Sequence, residues 1–564
     1  MVPIKKIICF FSVFFTLTIF SQSITNVFPL KDVKEGTIAK GYTVLKGTII
    51  SEFEAEVLGV QRIGSSDTPY IICKIKGKPF DECGVVAAMS GSPLYIEDKF
   101  LGAVAIGWFF SKEPLFAATP AEKMVELYQK RFSGSVPSTP QKTVTFFDFL
   151  NNLGNINSDM NKLLAPFEEK NITISKGEKH SFAADATIEP GGMIGVELIS
   201  GDISLTAYGT ISSVKENRFI AFGHPFLGVG EVDFPVVKAK VSTIMPSMAF
   251  SFKLSSSQEE IGRMVLDTPY GVLCEKGIKA NTIPVTIYYE NSSSEKFIKT
   301  ANIVRHKDLA KMLFFLAVSQ LCDELESNKK SYHIILNSAN FLFDDGKSLT
   351  IKKQIFGGED PLLSLSSFLA EIFSLLYSNP FKKPEIKGVE LNIISKNGKS
   401  DGNLIQISSL SNEIERGNKI NIEAIFQKIE EKPLKIHFEI PSTELPDGKV
   451  KIVAGDSISI FKRYLKASNT IPTSFDEIIS SLNKLNEGGK IYIALFSESE
   501  SLLIGNKRIY DIPMTLKNSL SFQVANSNQK STEKICLEPF PVYDSGFFSS
   551  ELEITTVIKE RENQ

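Results

Sequence analysis

Apolar positions recur along this chain in short runs of period two, broken by Gly, Pro and Asp, and that pattern predicts a mainly β protein. Ile38 to Lys46 reads as one strand. Gly47-Thr-Ile-Ile-Ser-Glu-Phe-Glu-Ala-Glu-Val-Leu-Gly-Val60 alternates as half-exposed strands do. Tyr70 to Lys76 is a further short strand, and Lys99 to Trp108 is apolar on both faces, hence buried. A second β module runs from about Ala183 to Tyr289, with frequent Gly between short strands, as in a barrel or sandwich. Strands resume from Lys387 to Ile460 at regular spacing, with a turn at Leu445-Pro-Asp-Gly448, which suits a β-sandwich.

Helical periodicity interrupts this in few places. Thr119-Pro120 reads as a cap and first turn. Phe146 to Lys170 has mixed helical character, Arg305 to Asn328 a long amphipathic helix, and Leu363 to Tyr377 another, closed by Asn379-Pro380. Ser474 caps a helix with an acidic first turn. Tyr332 to Ile355 is a hairpin about Asp344-Asp-Gly346. The resulting division is 1–23 signal peptide, 24–133 first β half, 134–182 linker and helical segment, 183–300 second β half, 301–385 α+β, and 386–564 sandwich-like.

At the N-terminus Lys5 and Lys6 precede an apolar run from Ile7 to Phe20, followed by Ser21 and Ser23. That is the layout of a secretory signal peptide, too short for a bilayer span, and it predicts an extracytoplasmic protein, periplasmic or secreted. No later stretch reads as long and apolar enough to span, so no stable membrane span is expected once the signal is removed. With 62 basic against 65 acidic residues, no basic field suited to nucleic acid is present. Five cysteines follow the signal, an odd number without the spacing of a disulfide framework. Cys73 and Cys83 are placed either to pair across neighbouring strands or to stay buried thiols. Neither cysteines nor histidines have zinc spacing, and no metal or organic cofactor is expected.

Chemistry concentrates in two turns. Met89-Ser-Gly-Ser-Pro93 joins two apolar runs, and Gly91 and Pro93 make it a tight loop on which a hydroxyl is held out of the sheet. Double-barrel serine peptidases carry their nucleophile on such a Ser-Gly-x-Pro loop, with an oxyanion hole from the N–H of the serine and of the residue two before it. Here those are Ser90 and Ala88. The bland alternative is a hairpin turn rich in turn-forming residues. Among the five histidines, His180, His306, His333 and His437 read as structural or solvated. His224 ends an apolar strand between Gly223 and Pro225, well placed for a cleft. A Ser90–His224 pair has the means for acyl transfer, since imidazole takes and returns the hydroxyl proton near neutral pH.

Four passages together resemble the peptidase family of the stage IV sporulation protein B: Met89-Ser-Gly-Ser-Pro-Leu-Tyr-Ile with Lys99-Phe-Leu-Gly-Ala-Val; Phe222-Gly-His-Pro; Asp202-Ile-Ser-Leu-Thr-Ala-Tyr-Gly-Thr210; and Phe252-Lys-Leu-Ser-Ser-Ser-Gln-Glu-Glu-Ile-Gly-Arg with Asp267-Thr-Pro-Tyr-Gly-Val. The likeness covers about residues 38 to 290. It implies a chymotrypsin-like double β-barrel serine endopeptidase acting on protein or peptide substrates, with Ser90 as nucleophile, His224 as base, and Ala88 and Ser90 as oxyanion donors. The order of the halves is swapped relative to the sporulation protein, and its PDZ domain has no counterpart. Its acidic triad member sits on the strand before the serine loop, where Cys73-Lys-Ile-Lys-Gly77 has no carboxylate. Asp233, Asp81 and Asp67 are the candidates for that role. The competing expectation is an inactive peptidase-like scaffold of the cell envelope, binding a protein partner through its C-terminal domain.

Overall fold

The computed structural model describes residues 26–63, 69–130, 146–153, 173–177, 180–326, 332–381, 385–398, 401–428, 431–468, 472–504, 507–510 and 530–560. The signal peptide expected over 1–23, the linker at 133–142 and the candidate Asp67 lie outside the described residues.

The first half provides β1 (Ile38–Lys46), β2 (Ile49–Arg62), β3 (Pro69–Lys76), β4 (Val86–Ala87), β5 (Pro93–Ile96), β6 (Lys99–Gly107) and β7 (Leu115–Pro120). Six of them close into a barrel in the order β1-β2-β3-β7-β6-β5. Alternation along β2 decides its orientation. Phe53, Ala55 and Val57 are buried, and Glu52, Glu54 and Glu56 face out. Gly41 on β1 lies directly opposite Phe53, whose ring occupies the space any side chain at 41 would take.

The second half provides β8 (Thr173–Lys176), β9 (Met193–Gly201), β10 (Ile203–Lys215), β11 (Arg218–Ala221), β12 (Gly230–Met245), β13 (Ser251–Thr268) and β14 (Gly271–Lys276). Pairings run β9-β12-β13-β14-β11-β10 and return from β10 to β9, so six strands form a closed circuit. β12 and β13 are 16 and 18 residues long, and their far ends extend beyond that circuit as a two-stranded arm. The arm reaches the first barrel: β4 joins β13 in parallel through Val86 and Ala87, and Gly47 exchanges both backbone hydrogen bonds with Val241.

The same large sheet continues through β15 (Thr282–Glu290), β16 (Lys296–Val304), β17 (Tyr332–Phe343), β18 (Ser348–Ile351), β19 (Gln354–Phe356) and β20 (Ile386–Asn397). β17 and β18 form the expected hairpin, with Gly346 at φ +80° in the turn. β20 was expected with the C-terminal sandwich. It instead pairs with β15 and β17, because its alternating buried Val389, Leu391 and Ile393 complete this sheet.

Helices Lys307–Asp323 and Pro361–Ser378 pack together, with Phe314 stacked on Phe373 at 4.5 Å. Pro361–Ser378 corrects one expectation, being long and apolar enough to cross a membrane by length and composition. Most of it is buried within the protein, so its hydrophobicity is spent on the core.

The C-terminal region is built of two sheets. One is formed by Gly402–Ser409, Lys419–Lys428 and Leu434–Pro441. The other includes Gly448–Gly455, Lys490–Ile504, Lys530–Asp544 and Glu551–Lys559. Ile422 and Phe426 of the first share a core with Ile452 and Ile493 of the second, giving the sandwich that the spacing predicts. Ser474 caps its helix through the Glu477 N–H at 3.2 Å.

Candidate functional site

The loop between β4 and β5 presents Ser90. Ala88 sits at φ +68° and Gly91 at φ +92°, the left-handed region that costs an alanine strain and a glycine little. The turn is held internally by Met89 N–H to Val86 O at 3.1 Å and Ser92 N–H to Met89 O at 2.8 Å. Ser90 is partly exposed, whereas Ser92 is fully buried.

The loop leans on the large sheet of the second half. Thr210 N–H on β10 donates to Ser90 O at 2.8 Å, and Thr210 O accepts from Phe222 N–H at 3.3 Å. Ser212 Oγ donates to Gly91 O at 2.8 Å. Gly91 has no room for a side chain, since a Cβ there would overlap the Thr210 carbonyl and stand 2.5 Å from the Phe222 nitrogen.

His224 lies just past β11, two residues beyond Phe222. Val104 O on β6 accepts from Gly91 N–H at 2.7 Å, and the same oxygen would stand 2.6 Å from a Cβ on Gly223. One carbonyl thus abuts the residue after Ser90 and the residue before His224. Thr119, expected as a helix cap, ends a strand instead. Its hydroxyl donates to Gly223 O at 2.5 Å, drawing the histidine turn onto the first barrel.

The His224 ring is partly exposed, and its Nδ1 lies 2.7 Å from Pro225 O. A carbonyl only accepts, so Nδ1 carries the proton, and in the neutral ring Nε2 is left as the basic nitrogen. Phe222 meets the ring edge-on at 6.0 Å.

One of the acid candidates engages other groups. Asp233 is paired with Arg263 at 3.5 Å and accepts the Asn281 N–H at 3.0 Å. Asp81 is exposed on the one-turn helix Phe80–Cys83. One carboxylate that reaches the histidine turn is Asp267, near the end of β13. Oδ1 accepts from Phe226 N–H at 2.7 Å, and Oδ2 from Leu227, Gly228 and Val229 N–H at 2.7, 2.6 and 3.2 Å. Successive N–H groups of a turn make an anion-holding nest, and Asp267, 3% exposed, fills it. Its only sequence signal was membership of the Asp267-Thr-Pro-Tyr passage, which carries no spacing that ties it to residues 226–229.

Behind the loop, Lys253 on β13 is 4% exposed and donates to Thr43 Oγ1 at 2.8 Å, Ala88 O at 3.4 Å and Met193 Sδ at 3.4 Å. Burial pulls its pKa down to about 7.

Cys73 and Cys83 are free thiols rather than a bridge, and burial pushes Cys73 up to about 12, away from thiolate chemistry. His306 is buried edge-on to Phe234 at 6.0 Å, and burial lowers its pKa. His180 faces Glu197, and His437 faces Glu423.

No protein-family model, curated protein or solved structure matches this chain.

Proposed function

We propose that this protein is an exported serine-type endopeptidase acting on protein or peptide substrates, with Ser90 as nucleophile and His224 as general base. The observation that carries the reading is the Val104 carbonyl, which abuts both Gly91 and Gly223 and so sets the serine loop against the histidine turn. Ser90 Oγ attacks the scissile carbonyl while His224 Nε2 takes its proton. The imidazolium then returns the proton to the leaving amine, and water repeats the cycle on the acyl-enzyme. The N–H groups of Ala88 and Ser90 receive the developing oxyanion. Pro225 O supplies the orienting half of the acidic residue's role by fixing the Nδ1–H tautomer, though it brings no full charge to stabilise imidazolium. The framework of this reading is a permuted double barrel. Export rests on Lys5, Lys6 and the apolar run that follows.

A non-catalytic envelope scaffold is the second reading. It is favoured by the engagement of Asp233 with Arg263 and of Asp267 with the backbone N–H groups of the turn after His224. A fluorophosphonate probe separates the two. The peptidase reading expects labelling of the purified protein that Ser90→Ala abolishes and His224→Ala slows by about a hundredfold or more. Labelling that persists in Ser90→Ala, or none under any condition, rejects it.

A further inference from the structure

We propose that Lys253 is a positioning residue for Ser90, clamping the Ala88 carbonyl from the inner side of the serine loop. The inference deepens the peptidase reading and rests on it for the role of Ser90. Ala88 is held at φ +68°, a conformation that alanine adopts only under constraint. Its carbonyl is gripped twice, by Thr210 Oγ1 at 3.0 Å and by Lys253 Nζ at 3.4 Å. Thr43 on β1 and Met193 on β9 take the other two donors of the ammonium, so one side chain ties together both barrels and the loop. Ala88 lies two residues before Ser90, and its own N–H is an expected oxyanion donor. Movement of this peptide therefore displaces both nucleophile and hole.

A purely structural lysine here is hard to explain. An unpaired buried charge costs stability, and an apolar residue of the same length fills the space better. Among the described residues no charged side chain bears on Lys253, and the groups facing it are the Thr43 hydroxyl, the Ala88 carbonyl and the Met193 thioether. The neutral amine has one donor fewer, so the clamp loosens as the ammonium deprotonates.

The test uses the purified full chain and its Lys253→Met variant, with three readouts: fluorophosphonate labelling rate against pH, hydrogen exchange of peptides spanning residues 86–93, and the thermal midpoint. The expected result is labelling slowed about tenfold or more in the variant, since small misplacements of reacting groups carry such costs. The wild-type rate falls through about pH 7, the variant lacks that limb, exchange over 86–93 is faster, and the midpoint is not lowered. Labelling within about twofold of wild type, with the same pH profile, overturns the proposal. Should the variant not fold, Thr43→Val, which removes one anchor of the ammonium, must change labelling and exchange in the same direction, and no change overturns it. Should wild type never label, the peptidase reading falls by itself. The exchange comparison then decides on Lys253, with faster exchange supporting the clamp and unchanged exchange rejecting it.

Discussion

Asp267 and Asp233 are both carboxylates on neighbouring strands of the large sheet, yet their environments assign them different weights. Asp267 satisfies four backbone N–H groups of the turn that follows His224 and is buried. Asp267→Asn replaces one acceptor oxygen by a donor and strands buried N–H groups. We expect a loss of about 2–4 kcal/mol in urea unfolding. Asp233 meets Arg263 at 3.5 Å and accepts one backbone N–H, fewer contacts than Asp267 makes, and Asp233→Asn is expected to cost less, about 1–2 kcal/mol. Gly91→Ala forces a Cβ into the Thr210 carbonyl at φ +92°. It is expected to destabilise by about 3 kcal/mol and to abolish probe labelling, whereas the same change at Gly36, where the space is open, retains labelling. At this scale the sequence was informative where residue type and function coincide, as in the Ser-Gly-Ser-Pro loop. It was silent on Asp267, Thr119 and Lys253, whose partners lie 38 or more residues away.

Elements explain why the two turns meet. Each is short and cannot hold its shape alone. β10 supplies Thr210 to both, and β6 supplies the Val104 carbonyl between them. The β12–β13 arm delivers Lys253 beneath the loop because β13 continues well past its pairing with β14 and takes β4 as a parallel neighbour. The helix pair is the corresponding element of the third region. Phe314 and Phe373 stack at 4.5 Å, and Lys311 bonds Glu371 at 2.5 Å across the same contact. Phe314→Ala is expected to cost about 3–5 kcal/mol in chemical unfolding, as other emptied aromatic core sites do. Its ring contacts are with Phe341 and Phe373 rather than with the two turns, so the labelling rate of the folded fraction should be unchanged.

Across the whole molecule, Lys253 links stability to pH in a direction opposite to its proposed effect on activity. Its folded pKa is about 7 against 10.5 for an ordinary lysine. Between those values the unfolded chain holds one more proton than the folded one, so stability rises with pH over that window, by up to about 1.4 kcal/mol per unit. Below about pH 7 both states are protonated and the full cost of the buried charge remains. Unfolding free energies measured from about pH 6 to 10 should climb for wild type relative to Lys253→Met, with the difference shrinking toward the alkaline end. A constant difference would mean that the lysine is solvated in the folded state.

The local pattern of the chain was enough to specify strands, turns and most helix positions. Alternation sets which face of a strand is buried, and Gly, Pro and Asp set where a turn must fall. It marked Ser90 and His224 for the same reason, since both sit in turns whose neighbours have narrow backbone preferences. Tertiary structure alone decided that six strands of the first half close into a barrel, that β20 joins the large sheet, and that an apolar helix is consumed by the core. It also decided which carboxylate and which lysine attend the two turns. Those outcomes depend on pairing between segments distant in sequence, and strand edges carry no local mark of the partner they will find.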